Sequence, residues 1–389
     1  MSQPEINIGT AGHVDHGKTT LLSRLTGKWA DDHSEEMRRG ITIKLGYANA
    51  IISKCDKCGK ITTQKKCDCG GKTKLLRKIS FVDAPGHETL MATMLSGAAT
   101  MDGAILLIAA NEGIREQTKE HLAALEILKV KNIVIVQNKI DLITQEDAIK
   151  NYKKIKEFVK GTVAENAPII PVSAEHNVNI NKLLEAIQKH IPTPKRNLKE
   201  KPIMIIARSF DTNKPGKKIE KLVGGVIGGV IIKGEIKEGE EIEIRPGIKQ
   251  NEKYTPITTT VKSINSGGEK LKKAGPGGSV GISLGLDMYL TRSDKLSGNV
   301  AGRKGELPPV HEALKLDVKL LEKTEIKMNE PLMITAWTAK TVGIVRQSTK
   351  NIVKVQLKLP VCIDSNERVA LSQRRNHRWN LIGYGKITK

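Results

Sequence analysis

The chain has 389 residues, a length that predicts two or three domains. Apolar residues make up 39% and charged residues 27%, which excludes a fully disordered chain, and the net charge of +22 favours a polyanionic partner. Aromatic residues are only 3%, too few for rows of stacking platforms, so a folded RNA held through its phosphates is favoured over a single strand. No signal-peptide pattern or long apolar run occurs, so we expect a cytoplasmic protein with no membrane partner.

Residues 1–190 alternate short apolar runs with amphipathic segments. The predicted strands are Glu5–Gly9, Ile79–Val82, Gly103–Ala109, Asn132–Val136 and Pro168–Val172. The predicted helices that follow them are Lys18–Leu25, Glu88–Met101, Arg115–Leu128, Glu146–Lys160 and Ile180–Ile191. Apolar strands without polar alternation, each followed by a helix, predict an α/β domain with a parallel sheet covered on both faces. Ligands of such sheets bind at the carboxyl ends of the strands.

Two proline-containing breaks divide the rest of the chain. Ile191–Pro194 is a predicted linker, and Leu307–Pro309 is a second break. Between them, short β-branched runs are punctuated by glycine, which predicts an all-β barrel or sandwich. Short strands are again predicted after the second break. We therefore expect three domains, an α/β domain at 1–200 and two β domains at 201–307 and 308–389.

The segment GHVDHGKT at Gly12–Thr19 has the spacing of a phosphate-binding loop and lies between a predicted strand and a predicted helix. The backbone N–H groups of such a loop surround phosphates, and the helix N-terminus adds a favourable potential. We expect Lys18 to contact the β- and γ-phosphates and the Thr19 hydroxyl to ligate Mg²⁺. The residues expected to bind the nucleotide here are His13, Val14, Asp15, His16, Gly17, Lys18, Thr19 and Thr20.

A second motif, Asp83-Ala-Pro-Gly86, follows the predicted strand Ile79–Val82. An acid at this strand end is suited to hold the hydration shell of Mg²⁺. Gly86 is expected to donate its N–H to the γ-phosphate, because a residue without Cβ lets the backbone approach closely.

Two motifs at the next strand ends predict the base. In Asn138-Lys-Ile-Asp141 the Asp141 carboxylate only accepts hydrogen bonds, so it suits the N1–H and amine of guanine and rejects adenine. The segment Ser173-Ala-Glu175 is expected to close over the base with backbone N–H groups. The residues expected to bind the base are Asn138, Lys139, Asp141, Ser173, Ala174 and Glu175. Together with the phosphate loop, these motifs predict a Mg²⁺–GTP site.

Two residues are expected to act at the γ-phosphate. His87 directly follows Gly86 and is the predicted catalytic residue, because it could orient the attacking water; a surface histidine is the alternative. Thr42 lies between the first helix and the next strand. A mobile loop there would bring the Thr42 hydroxyl to Mg²⁺ only when the γ-phosphate is present, and a plain loop residue is the alternative.

Four of the five cysteines, Cys55, Cys58, Cys67 and Cys69, are close together in the sequence. Four thiolates suit tetrahedral Zn²⁺, and the surrounding lysines would stabilise them, so we expect a structural zinc site on a hairpin insertion. The second pair is C-x-C rather than C-x₂-C, and free thiols or a degenerate knuckle are the alternatives. Cys362 stands alone and is expected to be a core thiol.

Basic residues at two places are expected to contact RNA phosphates. Arg374 and Arg375 lie in the basic cluster Gln373–Trp379, for which a solvated strand end is the alternative. Arg39 and Lys44 flank the predicted mobile loop and are expected to act in the same way.

These motifs carry a family resemblance. GHVDHGKTT, together with RGITI, DAPGH, NKID and SAE, resembles the translational GTPases that carry tRNA. Within that group RGITIKLGYA, the cysteine-rich insertion, Ala207–Gly216 and Gly224–Gly247 resemble the gamma-subunit family of archaeal initiation factor 2. The match is specific over about residues 5–305 and looser to the end of the chain.

The resemblance implies a GTPase domain followed by two β-barrels. It implies a GTP-dependent carrier of initiator methionyl-tRNA to the small ribosomal subunit, in a heterotrimer with alpha and beta subunits. By the same match, Asp15 and Gly40 correspond to positions that bind a second Mg²⁺, Val14 and Ile41 to apolar residues beside His87, and Tyr47 to a residue near the aminoacyl end of the tRNA.

Two alternative functions remain open at this point. A specialised elongation-type factor would share the GTP motifs but carry elongator tRNA. A metabolic GTPase subunit, like those that drive sulfate activation, would use a similar phosphate loop but would bind no tRNA and would have no need of a net charge of +22.

Overall fold

The computed structural model describes residues 3–27, 45–85, 91–213, 224–321, 324–349, 351–375 and 378–388. The chain forms two compact units. The first is Pro4–Pro194, and the second is Lys195–Lys389 together with Gln3 from the start of the chain. Among the helices in these described ranges, none is long and apolar enough to cross a membrane.

In the described part of the first unit, the strands form one sheet. Its strands are β1 (Ile6–Gly12), β2 (Gly46–Cys55), β3 (Ile61–Thr62), β4 (Thr73–Asp83), β5 (Gly103–Ala109), β6 (Asn132–Asn138) and β7 (Ile169–Pro171). They are arranged in the order β3-β2-β4-β1-β5-β6-β7, and the five strands from β4 to β7 in this order are parallel. Every residue of β1 and of β5 is buried, as their uninterrupted apolar runs predict.

Helices lie between the parallel strands in the chain order predicted from the sequence. They are α1 (Lys18–Thr26), α2 (Met91–Ala98), α3 (Glu116–Ile127), α4 (Gln145–Phe158) and α5 (Ile180–His190). Helix α1 ends at Gly27, which has a left-handed φ of 69° and donates its N–H to the Ser23 carbonyl at 2.8 Å. Apolar side chains of β1, α1 and α5 belong to a single core: Ile6, Ile8, Leu21, Leu22, Leu25, Leu183, Leu184 and Ile187.

A hairpin insertion was expected at the cysteines, but the strands that form it, β2 and β4, differ from the predicted strands. Strand β2 was not among the predicted strands, and β4 begins at Thr73 rather than Ile79. The two strands pair antiparallel along their whole length, from Gly46 opposite Asp83 to Cys55 opposite Thr73. In the outer half of this pair apolar and polar residues do not alternate regularly. Ile52 is buried, whereas Ile51, Leu75 and Leu76 are exposed, so no regular apolar pattern marks a strand there.

Arg77 fixes the middle of β4 to the end of α5. Its side chain is buried and donates to the carbonyls of Ile187 at 3.1 Å and Ile191 at 2.8 Å. A cation at a helix C-terminus is favoured by the helix dipole and satisfies carbonyls that have no partner within the helix. Burial lowers the pKa of this guanidinium, and the two carbonyl contacts compensate for its lost hydration.

The second unit begins with a β-barrel. The strands of this region are β8 (Ile203–Phe210), β9 (Val226–Lys233), β10 (Ile236–Lys237), β11 (Glu241–Gln250), β12 (Lys253–Ser266), β13 (Glu269–Leu271), β14 (Lys273–Ala274), β15 (Val280–Leu284) and β16 (Val300–Arg303). Of these, β10 and β14 form a separate two-stranded sheet. Over the described residues, six strands run in the order β11-β16-β8-β9-β15-β12, and β12 pairs back with β11. The sheet is therefore a closed barrel rather than the alternative sandwich.

A second barrel follows. Its strands are β17 (Val310–Leu320), β18 (Pro331–Ala336), β19 (Ala339–Ser348), β20 (Ile352–Cys362), β21 (Arg368–Arg375) and β22 (Arg378–Thr388). They close in the order β17-β20-β19-β18-β21-β22. A parallel-rich α/β domain followed by two β-barrels confirms the predicted fold class.

A small apolar cluster joins the two barrels. Ile203 and Val300 from the first barrel pack with Leu307 from the connection and Cys362 from the second barrel. Burial raises the pKa of the Cys362 thiol to about 12, and its Sγ donates to the Pro308 carbonyl at 3.3 Å. Cys362 is thus a core thiol, as predicted.

Candidate nucleotide-binding site and cysteine knuckle

The phosphate-binding loop connects β1 to α1 at the carboxyl edge of the sheet. Two glycines permit its path. Gly12 has a φ of +136° and would bring a Cβ to 2.4 Å from the Leu107 carbonyl oxygen, and Gly17 has a φ of +90° and would bring one to 2.4 Å from the Asn138 side chain. Only glycine fits these positions without strain, because an L side chain would clash and would disfavour both φ values.

Lys18 begins α1 and turns back over the loop. Its Nζ donates to the carbonyls of Gly12 at 3.0 Å and His13 at 2.7 Å, and the residue is only 7% exposed. Burial lowers the pKa of its ammonium to about 8, against the opposing attraction of Asp83. A buried ammonium beside a helix N-terminus is a donor set that fits a phosphate, whose negative charge would restore the ordinary pKa.

Asp83 is fully buried at the end of β4, where two threonines meet it. Thr10 donates to one carboxylate oxygen at 2.6 Å, and Thr19 donates to the other at 2.9 Å. The structure thus brings together the two predicted Mg²⁺-side residues, Thr19 and Asp83. Hydroxyl and carboxylate oxygens are hard ligands of the kind that Mg²⁺ prefers, so the residues present fit this ion.

Asn138 ends β6 and links two motifs. Its side-chain amide donates to the His16 carbonyl at 2.9 Å, and its carbonyl oxygen accepts from the Ala174 N–H at 3.1 Å. The segment Ser173–Glu175 is also held from α1, because Arg24 donates to the carbonyls of Ala174 and Glu175 at 3.0 and 2.8 Å. The phosphate loop and both base motifs therefore form one hydrogen-bonded assembly.

Asp141 lies beside this assembly. A hydrogen bond from Ser173 lowers the pKa of its carboxyl group, with a smaller contribution from His176, whose ring nitrogen is 3.7 Å away. The carboxylate is therefore ionised at neutral pH, and its side chain is 25% exposed. An accessible, acceptor-only group of this kind is suited to the two donors of guanine.

Helix α3 supplies contacts to the phosphate loop that sequence reasoning missed. The Gly12 N–H donates to His121 Nδ1 at 2.8 Å, and the Val14 N–H donates to the Gln117 side-chain oxygen at 3.4 Å. Burial is the main cause that lowers the pKa of His121 to about 3, so the ring is neutral and can accept this bond. No motif marks these residues, because their role depends on how α3 packs on β1.

Glu112 is a third residue of this site that no sequence motif marks. Its carboxylate lies 3.4 Å from Lys139 Nζ, 3.6 Å from an Arg115 nitrogen and 3.8 Å from His16 Nε2. The His16 contact has ion-pair distance, but burial lowers the His16 pKa to about 4, so the ring is neutral at pH 7 and the contact is not an ion pair there. Glu112 thus pairs with Lys139 of the base motif and lies beside His16 of the phosphate loop.

The remaining predicted residues of this site fall into two groups. Val14, Asp15 and Thr20 lie in the described loop and at the start of α1, and Asp15 has a left-handed φ of 62°. The others lie outside the described residues, and their roles stay predictions: Arg39, Gly40, Ile41, Thr42, Lys44, Gly86 and His87.

The cysteine knuckle, residues 54–74, lies at the outer end of the β2–β4 hairpin. Its sulfur atoms form two close pairs, Cys55 with Cys69 at 3.4 Å and Cys58 with Cys67 at 3.5 Å, and all four lie within 4.8 Å of one another. Tetrahedral Zn–S bonds of about 2.3 Å place sulfurs about 3.8 Å apart. The tighter C-x-C pair therefore still allows four sulfurs to surround one ion, and the donor set fits Zn²⁺.

Of the five residues predicted to contact tRNA, the three that the structure describes lie in different units. Tyr47 is near the start of β2, paired with Val82 beside the nucleotide edge of the sheet. Arg374 and Arg375 end β21, where Arg374 is exposed and Arg375 donates to the Thr324 hydroxyl at 2.7 Å.

Comparison with known proteins gives matches along nearly the whole chain. Residues 3–193 match the Elongation factor Tu GTP binding domain, residues 224–293 match Elongation factor Tu domain 2, and residues 311–387 match the C-terminal domain of Initiation factor eIF2 gamma. Translation initiation factor 2 subunit gamma of Pyrococcus horikoshii is 54% identical over 99% of this chain and 98% of its own length. The corresponding subunit of Methanocaldococcus jannaschii is 55% identical over the same shares.

The chain belongs to the translation initiation factor 2 gamma-subunit family. It is therefore a translational GTPase, and the predicted family resemblance is confirmed. Solved structures agree in fold with this chain. A bacterial selenocysteine-specific elongation factor, EF-Sec, has a TM-score of 0.78 at 25% identity, covering 100% of this chain and 58% of its own. The elongation factor SelB of Methanococcus maripaludis has a TM-score of 0.77 at 23% identity, covering 100% of this chain and 80% of its own.

Proposed function

We propose that this chain binds Mg²⁺–GTP at the carboxyl edge of its sheet and carries initiator methionyl-tRNA to the small ribosomal subunit. Delivery of initiator tRNA is the role of the family. Hydrolysis of GTP to GDP then times the release of the tRNA. The observation that carries the nucleotide part is the hydrogen-bonded assembly of the phosphate loop, Asp83, Asn138 and Ser173–Glu175.

The residues have distinct proposed roles in this cycle. The loop from His13 to Thr20 holds the phosphates with its N–H groups, and Lys18 neutralises part of their charge. Thr19, with Asp83 behind it, holds the Mg²⁺, which supplies further charge neutralisation when bound. His87 orients the attacking water, and Thr42 joins the metal site in the GTP state. Asp15 and Gly40 are proposed ligands of a second Mg²⁺.

Specificity for guanine is assigned to Asp141. Its ionised carboxylate would accept from the N1–H and the exocyclic amine, while adenine offers no donor at N1. Lys139 is held by Glu112 and Asn138 is held by His16 and Ala174, so the motif around Asp141 is rigid before the base arrives. Such preorganisation favours selective binding because little ordering remains to be done.

The cysteine knuckle is proposed to hold structural Zn²⁺. Four thiolates leave no open coordination position, so the ion would stabilise the hairpin end rather than take part in hydrolysis. The close sulfur pairs support this assignment.

Membership of the family suggests partner subunits and a cellular location for this chain. The name of the relatives describes a subunit, and we propose alpha and beta subunits as partners in a heterotrimer that acts in the cytoplasm. We also propose three domains, the GTP-binding domain at 1–200 and the barrels at 201–307 and 308–389.

Competition between two tRNAs tests this function. Initiator methionyl-tRNA would be bound by the full chain with a GTP analogue or with GDP, at a stated salt concentration, with elongator methionyl-tRNA as competitor. We expect selective binding of the initiator in the GTP state. Equal binding of both tRNAs would favour an elongation-type factor. A chain that binds GTP but no tRNA, even with partner subunits added, would favour the metabolic GTPase.

A further inference from the structure

Two pairs of lysines face each other across strands in the cysteine knuckle. Lys54 on β2 pairs with Lys74 on β4, and Lys66 forms an isolated antiparallel bridge with Lys72. All four side chains are exposed, and none has an ion-pair partner among the described residues. Like charges directly opposite each other destabilise a strand pair. The paired lysines of the knuckle therefore repel each other, and a polyanion bound across them would remove this repulsion.

The excess of positive charge in the knuckle remains after its own anions are counted. Residues 54–74 contain seven lysines and two aspartates. The one ion pair formed within the knuckle, over the described residues, joins Lys60 to Asp68 at 3.2 Å. Four thiolates around one Zn²⁺ would contribute about two further negative charges, which leaves an excess of about three positive charges.

The absence of aromatic residues limits the kind of polyanion that the knuckle can bind. Residues 54–74 contain no Phe, Trp or Tyr, so they offer no surface on which an unpaired base could stack. Lysine ammonium groups on a firm hairpin are suited to phosphates at fixed spacing, as in an A-form duplex.

The knuckle is far from the nucleotide. Gly46, opposite Asp83, lies at the nucleotide end of the β2–β4 pair, and Cys55, opposite Thr73, lies at the knuckle end. Nine residue steps along an extended strand span about 30 Å. A ligand held at the knuckle is therefore remote from any change that follows GTP hydrolysis, whereas the proposed release of tRNA requires contacts that respond to the nucleotide.

We propose that the cysteine knuckle binds duplex ribosomal RNA of the small subunit through its phosphates, and does so equally in the GTP and GDP states. Lys54, Lys66, Lys72 and Lys74 are the contact residues. This inference rests on the proposed function for the identity of the particle, and the residues that carry it are separate from those that bind the nucleotide.

The test replaces the four lysines together, as Lys54→Gln, Lys66→Gln, Lys72→Gln and Lys74→Gln, in the full chain. Binding to purified small ribosomal subunits is measured against salt concentration, with GDP and with a GTP analogue. We expect the affinity at low salt to fall about 10- to 100-fold, equally with both nucleotides. The slope of log affinity against log salt concentration should become shallower by the amount that corresponds to about two to three lost phosphate contacts. Zinc content should be unchanged, and the thermal midpoint should be unchanged or higher because the repulsion is removed.

The matched control changes four exposed lysines elsewhere in the same unit, Lys153→Gln, Lys154→Gln, Lys156→Gln and Lys160→Gln. Equal effects of both sets would overturn the proposal, because only general charge would then matter. Loss of tRNA affinity in place of subunit affinity would also overturn it and assign the knuckle to tRNA. A wild-type chain that binds subunits through the knuckle but binds no tRNA would keep this inference and reject the proposed function.

Discussion

Single side chains in the nucleotide site serve more than one motif. The Asn138 amide donates to the phosphate loop and accepts from the segment after β7. Glu112 reaches Lys139 and His16. Because each of these groups is shared, a substitution at one motif is expected to disturb its neighbours as well. Asp141 is different, since its carboxylate is partly accessible and is supported mainly by Ser173.

Asp141→Asn is therefore expected to change base preference while the phosphate contacts stay intact. The amide adds a donor where the carboxylate accepted, so GTP affinity should fall about 100-fold or more and xanthosine triphosphate should become the better ligand. Competition binding of the two nucleotides measures the change. Asp147→Asn on α4, an exposed carboxylate, is the matched control. Unchanged preference in the Asp141 variant would remove it from base recognition.

How far residue roles can be predicted from sequence depends on whether a motif carries them. Lys18, Thr19 and Asp83 follow from local patterns, and the structure brings them to one edge of the sheet. Glu112, Gln117 and His121 could not be found in this way. Gln117 and His121 reach the loop only through the packing of α3 on the sheet. Glu112, between β5 and α3, reaches Lys139 only because β5 and β6 are neighbours in the sheet. A hydrogen bond between segments a hundred residues apart leaves no local signature.

At the scale of elements, α3 and the phosphate loop are connected through a neutral histidine. The Gly12 N–H needs an acceptor, and the buried His121 ring supplies one only while Nδ1 is unprotonated. Its pKa is lowered from 6.5 to about 3, so the unfolded chain takes up a proton at higher pH than the folded chain does. Stability from this ring is complete above about pH 6.5 and is lost progressively as pH falls toward 3.

Replacing this ring tests the connection. Between about pH 7 and about pH 5, the free energy of unfolding of the wild type should fall by up to about 1.4 kcal/mol per pH unit for each such histidine. His121→Gln keeps a hydrogen-bond acceptor but cannot titrate. The slope of its unfolding free energy against pH should therefore correspond to the uptake of one proton fewer on unfolding than in the wild type. Urea unfolding at several pH values measures the slopes.

Bound Zn²⁺ is expected to stabilise the folded cysteine knuckle. Cys69→Ser removes one of four sulfur ligands, and a hydroxyl is a poor substitute at a Zn²⁺ site. We expect the zinc content to fall from about one ion per chain to near zero, and the amides of the outer part of the β2–β4 pair to exchange faster with solvent. Elemental analysis and hydrogen exchange give the two readouts. Cys362→Ala, in the core of the second unit, should retain full zinc.

The elements show the same limit of sequence reasoning. The buried strands β1, β5 and β6 were predicted because an apolar run is a strong signal on its own. Strand β2 was missed because its outer residues, such as Lys54, face solvent and take their strand conformation from β4. Whether such a segment forms a strand depends on its pairing with a distant segment rather than on its own composition.

On the scale of the whole molecule, the two barrels share buried surface within one compact unit. Ile203 and Val300 of the first barrel meet Cys362 of the second in an apolar cluster, and a Cβ on Gly298 would come within 2.9 Å of the Ala339 backbone. Interiors packed this closely transmit strain. The barrels are therefore expected to unfold together.

Ile203→Ala tests this coupling. Loss of a buried isoleucine should cost about 2–4 kcal/mol of unfolding free energy and lower the stability of both barrels. Unfolding in urea, followed by hydrogen exchange of β9 and β21, reports on each barrel separately. Val310→Ala, at a side chain that is 38% exposed, should cost less than about 1 kcal/mol. Destabilisation confined to β9 would show that the barrels unfold independently.

The Arg77 contact decides where the first unit can be cut from the chain. The last nucleotide motif ends at Glu175, yet the partners of this buried guanidinium are the carbonyls of Ile187 and Ile191. A fragment that stops soon after Glu175 would leave a cation buried without acceptors, which is strongly destabilising. A free-standing GTPase module for exchange or crystallisation work should therefore extend through Pro194, where Thr193 also reaches Glu5 at 3.3 Å.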